Sequence, residues 1–172
     1  TVYAFSTENW KRSNEEIEHL MDLFYRYLEK ESHKLKQVKV KFMGSKSNLS
    51  EKLLKKMEEI EEETKNNFEF NLNICINYSG RTEIVDAINK IISYNEKNIT
   101  ESDFIKYLYN PQTPFPDLLI RTGREKRLSN FLIWQIAYTE FYFSNKYWPD
   151  FNEEDLLKAV SDYKKKKRNF GE

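Results

Sequence analysis

Apolar and polar positions alternate along this chain with two different periods, and the period changes from one segment to the next. Period-two segments and short apolar runs predict strands, whereas apolar residues three and four positions apart predict helices. The predicted strands are residues 2–5, 38–43, 68–77, 117–120 and 139–143. The predicted helices are residues 13–35, 49–60, 84–92, 102–108, 130–138 and 152–167. This alternation predicts an α/β fold in which a mostly parallel central sheet is covered by helices.

The composition fits one folded domain over residues 1–172 and argues against nucleic-acid binding. Hydrophobic residues make up 39% of the chain and aromatic residues 15%, which is enough for a substantial core. The 28 basic and 28 acidic residues cancel, whereas nucleic-acid-binding domains usually carry an excess of positive charge. The basic stretch at 164–168 is therefore interpreted as a solvated helix end, and the single cysteine, Cys75, as a reduced core residue.

Neither an apolar run near twenty residues nor a signal sequence at Thr1 is visible in the sequence. We therefore expect the chain to be cytoplasmic, and peripheral contact with a membrane stays open.

A basic loop follows the predicted strand at 117–120. The segment 116–129 reads PDLLIRTGREKRLS, and Gly123 lies in its middle. Its four cations are Arg121, Arg124, Lys126 and Arg127. Ligands of open α/β sheets bind at the carboxyl ends of strands, and guanidinium groups match the geometry of phosphate oxygens. The loop is therefore a candidate diphosphate site, with a solvated surface charge run as the alternative.

A second polar cluster follows the predicted strand at 2–5. It combines a hydroxyl, a carboxylate, an amide and a guanidinium group, on Ser6, Glu8, Asn9 and Arg12. Ser13 and Glu16 then fit a capping box, so a helix is predicted to begin where the cluster ends. Such a junction suits an anionic ligand near a helix N-terminus, and an ordinary N-cap beside a core tryptophan is the alternative.

Long motifs in a fixed order give the chain a specific resemblance to one family. These motifs are YAFSTENWKR at 3–12, NYSGRTEI at 77–84, DLLIRTGREKRLSNFLIWQIAYTEFYF at 117–143 and WPDF at 148–151. Together they resemble the cis-prenyltransferases, the undecaprenyl diphosphate synthase family, from residue 2 to the RNFG sequence at 168–171. The resemblance implies an enzyme that condenses isopentenyl diphosphate with an allylic diphosphate such as farnesyl diphosphate. Repeated condensation in the presence of Mg²⁺ would make a Z-polyprenyl diphosphate.

The resemblance also implies roles for particular residues. The positions that match groups holding isopentenyl diphosphate are Arg121, Arg127, Leu128 and Ser129. Those that match the rest of the substrate site are Ser6, Thr7, Glu8, Trp10 and Arg12, the last of them steadying the allylic diphosphate. Asn77 and Arg81 match a motif that we expect to be structural. Members of the 13–35 helix are expected to line a hydrophobic tunnel that limits product length.

Two further matches carry alternatives. Asn9 matches the residue assigned as proton acceptor in the family. Because a neutral amide is a poor base, a role in positioning a substrate oxygen or a water stays open. Glu140 matches the magnesium-ligating glutamate of the family, and an edge-strand carboxylate without metal is the alternative.

One expected motif has no match in these residues. Family members begin with a strand and an Asp-Gly-Asn-Gly-Arg-Trp loop whose aspartate binds magnesium. Because no such loop is found in these residues, we expect this chain to be an N-terminally truncated part of a longer enzyme. The alternative is a non-catalytic partner subunit of a heteromeric enzyme. The family also forms dimers, and the large apolar side chains at 130–143 predict a homodimer built from that region.

Overall fold

The computed structural model describes residues 1–67 and 69–167, in two compact units that meet in sequence between Pro111 and Gln112. Phe68, the predicted start of a strand, and the RNFG sequence at 168–171 lie outside the described residues. The assignment of residues 1–172 to a single domain stays a prediction.

The first unit is built on a three-stranded parallel sheet. Its strands are β1 (Val2–Tyr3), β2 (Lys39–Met43) and β3 (Asn71–Cys75), in the order β1-β3-β2. Both pairs are parallel, and Cys75 aligns with Tyr3 on one side and with Met43 on the other. The carboxyl ends of the three strands therefore lie along the same edge of the sheet.

Four α-helices accompany this sheet. They are α1 (Asn14–Glu31), α2 (Glu51–Thr64), α3 (Gly80–Ser93) and α4 (Glu101–Ile105). Each begins after a hydroxyl side chain that accepts a backbone N–H of the first turn; these caps are Ser13, Ser50, Ser79 and Thr100. The predicted helix at 13–35 continues beyond α1 as a 3₁₀ helix, Ser32–Gln37.

The core of the first unit lies between this sheet and the helices α1 and α2. Its buried side chains include Phe5, Leu28, Val40, Leu53, Ile60 and Ile74. The Thr64 hydroxyl donates to the Ile60 carbonyl at 2.8 Å and accepts the Val40 N–H at 3.1 Å, which ties the end of α2 to β2. Cys75 is buried and reduced, and its burial raises the pKa of the thiol to about 12.

Within its described residues, the second unit contains a two-stranded parallel sheet, a short 3₁₀ helix (Trp148–Asp150) and one α-helix. The strands β4 (Leu118–Arg121) and β5 (Glu140–Phe143) pair in parallel, with Arg121 opposite Phe143. The helix α5 (Glu153–Lys165) packs on both strands. An α/β fold with parallel pairing and helices is thus confirmed, although the described strands pair in two sheets rather than in one.

The predicted helix at 130–138 is wrong. This segment forms consecutive turns, and Ser129, Asn130 and Leu132 all have positive φ angles, of 50°, 62° and 47°. A left-handed backbone at these positions is incompatible with a right-handed α-helix starting there. Turn-type hydrogen bonds follow instead, for example from the Gln135 N–H to the Leu132 carbonyl at 3.0 Å.

Candidate active site

The first polar cluster lies where the chain leaves β1. The Ala4 and Phe5 N–H groups both donate to the Cys75 carbonyl, and Ser6 continues the parallel pairing with Tyr78. A 3₁₀ helix, Thr7–Lys11, follows directly. All six site residues predicted in this segment lie in this short helix or beside it, namely Ser6, Thr7, Glu8, Asn9, Trp10 and Arg12.

Ser6 and Asn9 cap this 3₁₀ helix reciprocally. The Ser6 N–H donates to Asn9 Oδ1 at 2.9 Å, and the Asn9 N–H donates to the Ser6 carbonyl at 3.0 Å. The Thr7 hydroxyl donates to the Glu8 carboxylate at 3.3 Å, while the Thr7 N–H donates to the Tyr78 carbonyl. The cluster is thus held by local backbone contacts and by the loop that follows β3.

Trp10 is fixed from two sides. Its ring lies edge-on to Phe5 with the centroids 5.3 Å apart, and its Nε1 donates to Asn77 Oδ1 at 2.6 Å. Asn77 is 2% exposed, and its Nδ2 donates to the carbonyls of Ser45 and Ser47 at 2.9 and 2.8 Å. Asn77 therefore links three loops and holds the Trp10 ring, which agrees with the structural role expected from the sequence.

An apolar cavity of about 450 Å³ adjoins this cluster. Its lining consists of Ala4, Phe5, Asn9, Arg12, Ile76 and the α1 side chains Leu20, Met21, Leu23, Phe24 and Tyr27. Arg12 is the charged residue of this lining, and its Nη1 lies 2.5 Å from Glu16 Oε1. Because a cavity of about 150 Å³ takes up one benzene ring, 450 Å³ has room for roughly 15–20 carbon atoms.

The basic loop of the second unit is organised around two arginines and one carboxylate. Arg121, at the end of β4, donates from Nη1 to Ser129 Oγ at 3.0 Å. The Nη2 atoms of Arg121 and Arg127 each lie 3.8 Å from one oxygen of Glu125. The Nε of Arg121 is buried and has no hydrogen-bond partner among the residues that the structure describes.

The loop brings together most of the residues predicted for it. Arg121, Arg127 and Ser129 converge, and the Leu128 carbonyl accepts the Phe131 N–H at 3.2 Å in the turn that follows. Arg124 instead lies over the Tyr147 ring at 6.0 Å. Spaced guanidinium groups with a spare N–H are suited to hold an anion with several oxygens.

Glu140 lies at the start of β5 and is paired with a lysine. Its Oε2 is 3.0 Å from Lys166 Nζ, which also donates to the Phe141 carbonyl at 3.2 Å. The Glu140 side chain is 30% exposed, so this carboxylate is accessible to solvent and to ligands.

The metal-binding capacity of the described part of the chain is limited. Across residues 1–67 and 69–167, no group of three or more His, Cys, Asp or Glu side chains is arranged to hold a metal ion. Mg²⁺ is commonly bound through one or two carboxylates together with substrate phosphates. Glu140 fits that mode as one protein ligand, with the phosphate oxygens of a substrate as further ligands.

Sequence reasoning missed Lys166 and Glu125 as partners of the predicted site residues. Lys166 lies 26 positions after Glu140 in a run of lysines, so no local pattern marks it out. Glu125 lies among the cations of the loop at 121–127, and this mixed charge is a local signal that could have revealed the pairing.

Comparisons with known proteins identify the family. Residues 1–171 match the prenyltransferase family described as "Putative undecaprenyl diphosphate synthase". The chain is 53% identical to an isoprenyl transferase of Fusobacterium nucleatum, over 99% of this chain and 75% of that protein. It is 50% identical to an isoprenyl transferase of Thermotoga maritima, over 99% of this chain and 76% of that protein.

Solved structures agree with the family match. Lavandulyl diphosphate synthase from Lavandula x intermedia, in complex with dimethylallyl diphosphate, superposes with a TM-score of 0.92 at 35% identity, covering 99% of this chain and 77% of that one. A "probable undecaprenyl diphosphate synthase" from Campylobacter jejuni gives a TM-score of 0.88 at 34% identity, covering 99% and 81%.

The fold and these matches define the class: the protein is a prenyltransferase that acts on isoprenoid diphosphates. The chain belongs to the undecaprenyl diphosphate synthase family, the cis-prenyltransferases, as its sequence motifs predict. Among the described helices, none is both long and apolar enough to cross a bilayer.

Proposed function

We propose that the protein condenses isopentenyl diphosphate with an allylic diphosphate, such as farnesyl diphosphate, to make a Z-polyprenyl diphosphate. The observation that carries this proposal is the cavity beside α1. Its apolar wall and its volume of about 450 Å³ suit a prenyl chain, and Asn9 and Arg12 suit the diphosphate attached to it.

The basic loop of the second unit is proposed to hold isopentenyl diphosphate. Arg121 contributes the buried Nε without a partner among the described residues, and Arg127 contributes a guanidinium group on a side chain that is 68% exposed. Both arginines lie near Glu125 at 3.8 Å, a spacing too long for strong hydrogen bonds. A diphosphate could therefore replace these weak contacts with stronger charge-assisted hydrogen bonds.

Mg²⁺ is the metal ion that we propose, with Glu140 as one of its ligands. A divalent ion bound between this carboxylate and a substrate phosphate would stabilise the negative charge that develops as diphosphate leaves. Lys166 holds the carboxylate at 3.0 Å in the structure, so metal binding requires this lysine to move or to share the carboxylate.

The activity test is direct. The purified full-length enzyme is incubated with farnesyl diphosphate, labelled isopentenyl diphosphate and Mg²⁺, and the products are separated by chain length and checked for double-bond geometry. Labelled Z-polyprenyl diphosphate is expected. An absence of labelled polyprenyl product, or an all-E product, would contradict the proposal.

Alanine substitutions test the isopentenyl site. In the full-length enzyme, we expect Arg121→Ala and Arg127→Ala each to raise the KM for isopentenyl diphosphate by about tenfold or more, because charge-assisted hydrogen bonds typically contribute about 1.5–3 kcal/mol. Arg124→Ala is the matched control, since Arg124 has the same charge in the same loop but lies over Tyr147. An equal rise of KM in all three variants would show that the loop acts only through its net charge. An unchanged KM in Arg121→Ala and Arg127→Ala would mean that the loop is merely surface.

We also propose that the protein is a homodimer. Support comes from the large exposed side chains of the second unit, which include Ile133, Tyr138, Phe143, Tyr147 and Trp148. Exposed apolar groups of this size commonly mark an interface between protein chains.

A further inference from the structure

The chain that follows β5 runs beside the start of the basic loop. The Ser144 N–H donates to the Arg121 carbonyl at 2.8 Å, and the Gly123 N–H donates to the Lys146 carbonyl at 2.7 Å. These two bonds carry the contact between the two chain segments past the points where β4 and β5 end. The backbone from which the arginines of the loop extend is therefore held by the chain at 144–146.

A side-chain contact joins the same two segments. The guanidinium carbon of Arg124 lies 6.0 Å from the centroid of the Tyr147 ring, within the range of a cation–π contact. Residues 144–147, which we call the backing segment, thus contact the loop at three successive points between 121 and 124. A shift of the backing segment would move the loop with it.

Lys146 connects the backing segment to the N-terminus of α5. Its Nζ lies 2.7 Å from Asp155 Oδ2, and the Asp155 side chain is 10% exposed. The same Oδ2 accepts the Asn152 N–H at 3.1 Å, and Asn152 Oδ1 accepts the Asp155 N–H at 3.2 Å. The hydrogen bond from Lys146 lowers the pKa of the Asp155 carboxyl, so the carboxylate stays ionised at neutral pH. One carboxylate therefore serves both the helix cap and the backing segment.

The needs of the helix alone do not account for the lysine. Asn152 and Asp155 complete a capping box by themselves. A helix N-terminus favours negative charge and disfavours positive charge, so the helix dipole does not explain an ammonium group beside the first turn of α5. The ammonium group does, however, fix the residue whose carbonyl accepts the Gly123 N–H.

We propose that Lys146 and Asp155 are positioning residues for the basic loop, because their ion pair fixes the backing segment and thereby the direction in which Arg121 and Arg127 extend. The inference rests on the proposed function of this loop and deepens it, since it adds the N-terminus of α5 to the determinants of isopentenyl diphosphate binding. Neither positioning residue touches the substrate, so any effect of their substitution on KM acts through the loop.

Lys146→Met is the first variant, measured in the full-length enzyme. It removes the ammonium group and leaves the backbone carbonyl of residue 146 and the cap of α5 in place. We expect the KM for isopentenyl diphosphate to rise by about three- to tenfold, because a displaced loop misorients the phosphate contacts without removing them. The KM for farnesyl diphosphate and kcat should stay nearly unchanged. Lys146→Arg should restore the KM, since a guanidinium group can still pair with the carboxylate.

Asp155→Asn breaks the same ion pair from the other side. The amide keeps the size of the side chain and an oxygen that can accept the Asn152 N–H, but it carries no charge. Because both substitutions act through one contact, the double variant with Lys146→Met should raise the KM no further than either single variant does. If Asp155→Asn fails to fold, Lys146→Met and Lys146→Arg still test the inference, because neither alters the helix cap.

Lys41→Met is the matched control. The Lys41 side chain is 44% exposed and its Nζ lies 2.8 Å from Glu61 Oε2, compared with 46% and 2.7 Å for Lys146 and Asp155. The control pair lies in the first unit and does not contact the basic loop, so we expect an unchanged KM for isopentenyl diphosphate. An equal rise of this KM in Lys41→Met would overturn the inference, because any broken ion pair would then have the same effect.

The remaining outcomes are also decisive. An unchanged KM for isopentenyl diphosphate in Lys146→Met would overturn the inference, and so would an equal rise in the KM of both substrates. A lower melting temperature with a normal KM would overturn it as well, because the pair would then act on stability alone. Wild-type enzyme that makes no polyprenyl product would instead contradict the proposed function, so the two failures are distinguishable.

Discussion

At the scale of single residues, substitution of Glu140 can distinguish a metal ligand from a structural carboxylate. Glu140→Gln keeps the size of the side chain but removes the charge that a hard cation prefers. We expect turnover to fall by one to several orders of magnitude, with partial recovery as Mg²⁺ is raised, and little change in melting temperature. A Mg²⁺ titration of activity and thermal melts on the same preparation measure both effects.

Lys166→Met is the control that the structure provides for this prediction. It breaks the same ion pair as Glu140→Gln but leaves the carboxylate in place. Because both partners are about one-third exposed, the pair should contribute well under about 1 kcal/mol to the free energy of unfolding. Near-normal turnover is therefore expected in Lys166→Met. A lower melting temperature in Glu140→Gln, with normal activity and no response to Mg²⁺, would remove Glu140 from the site.

The scale of helices and strands shows what the sequence could predict. The start of α1 was predicted from the Ser13 and Glu16 pattern, and the structure places the Ser13 cap there. The long amphipathic helices and the five strands that the structure describes were also predicted, because their apolar periods reflect real buried faces. Strand ends were less accurate: the segment predicted as 68–77 pairs only at Asn71–Cys75.

The failures have physical causes that a single sequence does not display. The segment 130–138 has the apolar content of a buried helix, but the left-handed backbone at Leu132 prevents one. Likewise, the sequence predicted the Arg121 loop and Glu140 as sites, whereas their partners Glu125 and Lys166 depend on side-chain packing. Residue types at strand ends were thus predictable, and the pairing between them was not.

The turn after β2 gives a prediction at this scale. Gly44 has φ +143°, and a Cβ atom placed there would lie 1.9 Å from the Ile76 carbonyl oxygen. We expect Gly44→Ala to lower the free energy of unfolding by roughly 2–4 kcal/mol, because backbone strain and a backbone clash add. Chemical denaturation measures the change.

Gly123→Ala is the matched control for this turn. Gly123 also has a positive φ, of +98°, but a methyl group at this position would meet only the flexible Glu125 side chain, with Oε2 at 3.4 Å. The loss of stability should therefore be clearly smaller than in Gly44→Ala. Equal losses in the two variants would mean that φ alone, and not the contact with Ile76, makes glycine necessary at position 44.

For the whole molecule, the balance of charge leaves apolar surface as the main determinant of association. The 28 basic and 28 acidic residues give no net charge that would keep copies of the chain apart. The second unit exposes 37% of Ile133, 71% of Tyr138 and 39% of Phe143, within the region for which the sequence predicts a dimer interface. We therefore expect light scattering of the full-length protein at micromolar concentration to show a homodimer.

Charge placed on this surface tests which face associates. Ile133→Glu should shift the protein toward monomer, because an interface core rarely tolerates an unpaired carboxylate. Ile92→Glu is the matched control, since Ile92 is 69% exposed on α3 of the first unit and should leave the dimer intact. A wild-type monomer would contradict the homodimer, and dissociation by Ile92→Glu alone would move the interface to α3.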